Sequence, residues 1–344
     1  MIKSIINRYK HIRSKQLLGK SYTGQYAFVG IGNHSTNNLY PVLSYLHVPL
    51  KYICCKSPDK LKLIEAAYTG VKATTNLQQI LVDEDIKGVF VCTSPQSNFH
   101  IAAEVIKSGK AAYIEKPPCH NSEELNTLIE YREKADKQVV AVGLQKRSAP
   151  TIIKLRNEIN KAGGTVTYNL KYLTGKYPEG DILTDLFIHP IDCIAYLFGN
   201  VEDIKMEKVE NHTLFLIMKH KKAAGIVELS TNYSWTGSKE HLTVNTSKGI
   251  FELDQMEKLK WKGKPKSMAG VPLEKIFHQQ TIKKNLVERN NFVPTLQNNQ
   301  IYSQGYYDAI KNFIDRVENK YDAEITTLEN IIETYRILDH IRHN

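Results

Sequence analysis

Asp185, His189 and Asp192 stand four and three residues apart in the stretch EGDILTDLFIHPIDCIAYLFG. On a helix that spacing lines one imidazole and two carboxylates along a single face. Pro190 fits only near a helix start, so His189 is expected close to an amino-terminus. There the helix dipole disfavours a cation and leaves the ring able to accept a proton. A lone histidine on a helix is more often structural; the two carboxylates on its face favour chemistry. The second reactive group is Lys116, in AAYIEKPP at 111–118. Residues 111–114 are apolar and follow a Gly109-Lys110 turn, as in a strand entered from a helix, and Pro117 and Pro118 cannot continue a ladder. Pro117 also holds Lys116 extended. Glu115 and Lys116 are thereby expected at the carboxyl end of a parallel strand, where open α/β sheets bind ligands. The plain alternative is a surface lysine on an exit loop.

The elements that must position these groups follow from the periodicity. An apolar strand at 26–29 runs into Gly30-Ile31-Gly32-Asn33-His34-Ser35, and a helix follows over 37–46. This is the glycine pattern of a dinucleotide loop with serine in the third place: Gly30 permits the tight turn, Gly32 the approach of a pyrophosphate, and Ser35 close packing of helix on strand. The helix amino-terminus adds free N–H groups and a positive dipole end. The second strand, 50–55, ends in Cys55-Lys56-Ser57 with no carboxylate for a ribose. Lys56 and Ser57 suit a 2′-phosphate, which favours NADP(H) over NAD(H); a merely solvated Lys56 would leave the site open to either. A strand at 88–92 ends in Thr93-Ser94-Pro95, helices are expected at 98–107 and 122–134, and a further strand at 138–143 closes the series. Strands alternating with helices mean βαβ units and a doubly wound parallel sheet of Rossmann type over 21–145.

From 146 the texture changes. A helix at 147–160 precedes alternating runs at 165–172, 213–218, 223–229, 242–245 and 249–253, the mark of a mixed, mostly antiparallel sheet with one face buried. Lys258, Lys260, Lys262, Lys264 and Lys266 recur at every second residue, which reads as a lysine-protected edge strand before it reads as a polyanion site. Helices at 306–318 and 327–342 close the chain. The fold class is therefore α/β, with a second α/β domain over 146–326 and a C-terminal helix over 327–344.

The 344 residues carry a net charge of +10, and eight cations, Lys3, Arg8, Lys10, Arg13, Lys15, Lys20, Lys51 and Lys56, precede the first acidic residue, Asp59. The surplus thus sits largely in a basic arm, residues 1–20, in which Ile2, Ile5, Ile6, Tyr9 and Ile12 recur at roughly helical spacing. The arm has three readings: a helix packed on its own domain or a sister subunit, a peripheral contact with anionic lipid, or a transit peptide or frayed tail. No apolar run reaches the length of a membrane span, and no nucleic-acid motif accompanies the charge. Cys54, Cys55, Cys92, Cys119 and Cys193 form no CxxC pair, which points to a reducing, cytoplasmic setting without a zinc framework. No metal site is expected.

Taken together, GIGNHS, CTSPQSNFHIAAEVIKSGKAAYIEKP and DLFIHPID, beside the pattern DxGxHxxD, resemble the Gfo/Idh/MocA oxidoreductases from about Tyr26 onward. The resemblance implies a Rossmann domain, a larger domain whose open sheet face makes dimer or tetramer contacts, and catalytic roles for Lys116, Asp185 and His189. It places Gly30, Gly32, Ser94 and Pro95 against the cofactor and Arg147 toward the active site. With their neighbours, the expected cofactor-binding set is Gly30, Gly32, Asn33, His34, Ser35, Lys56, Ser57, Thr93, Ser94, Pro95, Glu115, Lys116 and Arg147. The implied activity is hydride transfer between NAD(P) and a secondary alcohol or ketone of a sugar, nucleotide sugar or cyclic polyol. An NAD-dependent glycosidase and a non-catalytic dinucleotide-binding regulator are the alternatives; the latter has no use for a proton-transfer set. Phe187 departs from the pattern where glycine is usual, and Gly180-Asp181 replaces part of a glycine-rich approach.

Overall fold

Strand β1 (Gln25–Val29) is buried on both faces at Tyr26, Ala27, Phe28 and Val29, so only a position inside a covered parallel sheet satisfies it. The computed structural model describes residues 2–18, 22–135, 138–210, 212–278, 281–293 and 295–344. In it β1 is flanked by β2 (Leu50–Cys54) and, beyond β3 (Lys72–Thr74), by β4 (Ile86–Val91), β5 (Ala111–Glu115) and β6 (Val140–Gly143). All pair in parallel, in the order β3-β2-β1-β4-β5-β6. That order reverses between β1 and β4, and the crevice outside their carboxyl ends is where such sheets bind dinucleotides.

A second sheet is built from β7 (Val166–Leu173), β8 (Val201–Val209), β9 (Thr213–His220), β10 (Ala223–Ser230), β11 (Lys239–Thr246), β12 (Gly249–Asp254), β13 (Lys258–Gly263) and, after a short hairpin of β14 (Ser267–Met268) and β15 (Val271–Pro272), β16 (Lys283–Glu288). Its order is β16-β13-β12-β11-β7-β10-β9-β8, antiparallel except for β7 with β10. One face packs on the helices at Pro150–Ala162 and Ile188–Phe198; the other is open, with Ile217 and Ile226 paired across strands and exposed.

Three expectations need correction. The lysine-rich strand β13 is not an edge, because β16 pairs along it. Two of its three lysines meet opposite charges, Lys258 ion-paired with Glu288 and Lys260 opposite Glu252, whereas Lys262 stands between Ile250 and Lys283. Strand β8 went unread because its charged residues are exposed on both faces and leave no alternation. Finally, the first core does not end near residue 145. Ile310, Phe313 and Ile314 of the helix Tyr306–Val317 pack with Phe28, Phe90 and Tyr113, and Val142 N–H donates to Thr326 O across the edge of β6. The arm forms a helix, α1 (Ile2–Leu18), and every residue of it whose side chain is described is exposed, so packing on its own domain does not occur there. The junction at 19–21 lies outside the described residues.

Candidate active site

The loop after β1 is shaped by contacts that only its own residues allow. Gly30 has φ +106, and a Cβ there would lie 1.9 Å from Cys92 O, so the close approach of the β1 and β4 ends excludes any side chain. Gly32 is the opposite case: nothing lies within 4 Å of its missing Cβ. Ser35, buried, binds Gly32 at both N–H and carbonyl through its hydroxyl and tightens the turn. The helix expected from residue 37 begins instead as a π turn, Ser35–Leu39, and continues as α-helix at Tyr40–Tyr45.

A cleft of about 700 Å³ lies over this loop. Gly30, Gly32, Asn33, His34, Ser35, Lys56, Ser57, Thr93 and Ser94 all line it, with Lys60, which the sequence reading did not single out. Pro95 starts the helix Pro95–Lys107 just behind. Asn98, also unforeseen, fastens this wall: its Oδ1 accepts from Thr93 N–H and hydroxyl, and its Nδ2 donates to Glu115 O and Pro117 O. Its only sequence signal is a polar residue on the buried face of that helix.

Behind His34, which lines the cleft, stand the other titratable groups; Glu115, Lys116, Asp185 and His189 are not themselves among its lining residues. His34 Nε2 lies 3.4 Å from Glu115 Oε2 without hydrogen-bond geometry, and its ring packs 5.8 Å from that of Tyr306. Lys116 Nζ donates to Asp185 O at 2.8 Å. Asp185 Oδ2 accepts from Tyr177 O–H at 3.2 Å. Gly180 makes room for this pair: a Cβ there would sit 2.1 Å from Asp185 Oδ2. Asp181 holds the start of the turn, accepting from Leu183 N–H and the Thr184 hydroxyl. The Gly180-Asp181 departure thus has a local structural use. Phe187 packs edge-on against Tyr172, ring centroids 6.3 Å apart.

Electrostatics follow burial. His189 is held well below the usual histidine range, first by burial and then by the cations Lys116 and Lys146 and by His34. Burial lowers Lys116 and raises Asp185, and it pushes Tyr177 up to about 12. Lys146 was not foreseen. It is buried, bonded to Glu240 at 2.6 and 2.7 Å, and lies 5.1 Å over the Tyr172 ring. Of the seven buried side-chain polar atoms without a partner among the described residues, four belong to this group: His34 Nε2, Glu115 Oε1, Asp185 Oδ1 and His189 Nδ1. Native interiors pair such atoms, and a cluster of unpaired ones is the signature of a site completed by a ligand.

A second cleft, of about 540 Å³, adjoins the first across Tyr306. Amides and aromatic rings line much of it: Asn37, Asn38, Gln255, Asn299, Gln300 and Gln304 with Tyr172, Trp235 and Tyr306.

Three expectations fail here. Asp185, His189 and Asp192 do not form one set: a π turn at Leu183–Phe187 shifts the phase of Asp185 against the α-helix that begins at Ile188 and carries the other two, and the Asp192 carboxylate is taken up elsewhere. The helical turn ahead of His189 also means that burial and cations, not a free helix end, keep the ring neutral. Asp192 instead binds Arg147 Nε at 2.9 Å and Nη2 at 2.5 Å, and accepts from the Thr334 hydroxyl. Arg147 therefore does not reach the cofactor cleft; its guanidinium is spent on Asp192 and on Asn330 O. Breaking such a buried pair leaves an uncompensated charge, at a cost of about 3–5 kcal/mol. Arg147→Ala is expected to lower the thermal midpoint strongly, whereas Arg147→Met with Asp192→Leu recovers most of the loss; calorimetry of both checks this.

Residues 25–144 match the family model described as oxidoreductase family, NAD-binding Rossmann fold, of the Gfo/Idh/MocA group. This Rossmann domain is a Gfo/Idh/MocA domain. Oxidoreductase P35 of Formosa agariphila is 26% identical over 184 residues, 48% of this chain and 56% of that protein. Inositol 2-dehydrogenase of Corynebacterium glutamicum (strain R) is 24% identical over 151 residues, 42% of this chain and 45% of its own. The matches thus span about half the length of these curated relatives. Solved structures extend the likeness of fold to both domains: a dehydrogenase from Chromobacterium violaceum superposes with a TM-score of 0.78 at 18% identity over 93% of this chain and 94% of its own. An oxidoreductase from Agrobacterium radiobacter, solved with NAD+, L-tartaric acid and magnesium, gives 0.74 at 15% identity over 92% and 95%. Among the described residues no group of three or more His, Cys, Asp or Glu is placed to hold a metal ion.

Proposed function

We propose that this protein transfers hydride between a nicotinamide dinucleotide and a secondary alcohol or ketone of a sugar or cyclic polyol. The observation that carries the reading is the convergence of Lys116, Asp185 and His189, with unpaired polar atoms, behind His34 and Glu115, of which His34 lines the dinucleotide crevice. The open space at Gly32 fits a pyrophosphate, which the loop and Ser94 would hold, while Lys56 and Ser57 would meet the adenosine ribose. The nicotinamide supplies the hydride donor or acceptor when bound.

The chain's own residues handle the proton and the charge. His189, neutral through burial, takes the hydroxyl proton in oxidation and returns it in reduction. Lys116 has one of its three N–H groups on Asp185 O; the others stabilise the developing alkoxide. Asp185 accepts a substrate hydroxyl at the oxygen that Tyr177 leaves free. Amide side chains beside aromatic rings suit vicinal hydroxyls and the apolar face of a sugar. The assay that tests this follows absorbance of the reduced cofactor against a panel of polyols and sugars, inositols included. Stoichiometric NAD(P)H formation is expected; product without net cofactor change would instead show a glycosidase.

For the cofactor we infer NADP(H). Lys56, Ser57 and Lys60 line the end of the cleft beside β2, and Cys55 stands where an NAD site carries a carboxylate. Lys56→Ala is expected to weaken NADPH about tenfold or more, the worth of a charged hydrogen bond, and to leave NADH within about twofold. Fluorescence titration with both cofactors measures this, and equal losses for both would end the NADP(H) reading.

A further inference from the structure

The helix α1 has no place in the chemistry above. It spans 17 residues, and its Ile2, Ile5, Ile6, Tyr9 and Ile12 are 75, 63, 46, 62 and 48% exposed. At about 100° per residue these five fall within an arc of about 120°, which stays free of charge through residue 12 and is entered by Arg13 at its end. Lys10 and Lys3 lie about 40° and 60° beyond one border of that arc, and Arg8 and Lys15 about 40° and 60° beyond the other. An apolar stripe flanked on both sides by long cations lets the stripe enter the acyl boundary while the ammonium and guanidinium groups reach back to the headgroups. No carboxylate occurs anywhere before Asp59, so nothing in the segment opposes an anionic surface. No helix among the described residues is long and apolar enough to cross a bilayer, which leaves contact in the plane of the interface.

We propose that α1 is an interfacial anchor that lays its Ile2–Ile5–Ile6–Tyr9–Ile12 stripe into an anionic lipid surface and holds the oxidoreductase body beside it. Charge complementarity selects this occupant over a second copy of the chain. A second α1 packed on the stripe would bring Lys3, Arg8, Lys10 and Lys15 against their own counterparts.

The test is co-sedimentation of the full chain with vesicles of phosphatidylcholine alone and with about 30% phosphatidylglycerol, at low and high salt. The anionic vesicles are expected to carry down most of the protein at low salt and the neutral ones little. Removal of residues 2–18, or Ile5→Asp with Tyr9→Asp, abolishes binding, and Lys3→Glu with Lys10→Glu weakens it at least about tenfold. Because α1 stands clear of the body, these variants keep their melting temperature and cofactor affinity. No sedimentation with anionic vesicles overturns the proposal, as does binding that survives the deletion. Light scattering covers the remaining outcome: a mass that halves on deletion, without vesicle binding, assigns the stripe to a second copy and also overturns it.

Discussion

His189→Ala is expected to lower kcat by about 10²–10⁴, the range that a positioned proton-transfer group supplies, while the melting temperature changes little. The ring has an unpaired Nδ1, so its removal breaks no hydrogen bond there. Lys116→Ala should cost at least about a hundredfold, because the alkoxide loses its cation and Asp185 O loses its donor. Near-normal turnover in either variant would remove that residue from the mechanism. The pH profile gives an independent reading. An ordinary imidazole gains its proton near 6.5, but burial, Lys116, Lys146 and His34 hold His189 well below that. Hence kcat/KM should not fall as pH drops through 6.5, only further into acid. Stability behaves differently. The unfolded chain binds protons at His189 and His220 from about 6.5 downward, and the folded chain, where burial lowers both, does not. The unfolded state then binds more protons, so unfolding free energy declines as pH falls below about 6.5.

The second large effect separates two glycines two residues apart. Gly30→Ala would put a methyl 1.9 Å from Cys92 O at φ +106, and neither backbone strand can yield without unpairing. We expect a loss of about 3 kcal/mol or more and a fall in the melting temperature of about 5 °C or more. Gly32→Val meets open space, so the fold should be untouched while NAD(P)H binding falls at least about a hundredfold, since the branched side chain takes the volume of the pyrophosphate. Thermal denaturation and fluorescence titration on both variants distinguish these outcomes. A Gly32→Val protein that still binds the cofactor would mean that the phosphates lie elsewhere.

What was legible in the sequence was whatever depends on local pattern. The strand-loop-helix unit at Gly30, the strand ending at Lys116 and the two sheet types all follow from periodicity and breakers within a few residues. The partners of the site residues did not, because they are set by tertiary packing. Arg147 looks as suited to a cofactor as to a core ion pair until the helix bearing Asp192 is placed beside it. The phase error between Asp185 and Asp192 has the same origin: a π turn adds residues to one turn without a mark in the composition. Lys146 and Glu240 are 94 residues apart, and only the register of β11 against β7 brings that carboxylate to the Tyr172 wall.

The packing of Ile310, Phe313 and Ile314 into the first core bears on how the chain is made. A growing polypeptide folds domain by domain from its amino end, at about 5–20 residues per second. Here the dinucleotide sheet is missing one of its cover helices until residues 306–317 have left the ribosome, after the whole second sheet has been synthesised. During that interval Phe28, Phe90 and Tyr113 are without the side chains that cover them in the finished protein. The sheet that carries the cofactor crevice is among the first structures encoded and among the last to be covered.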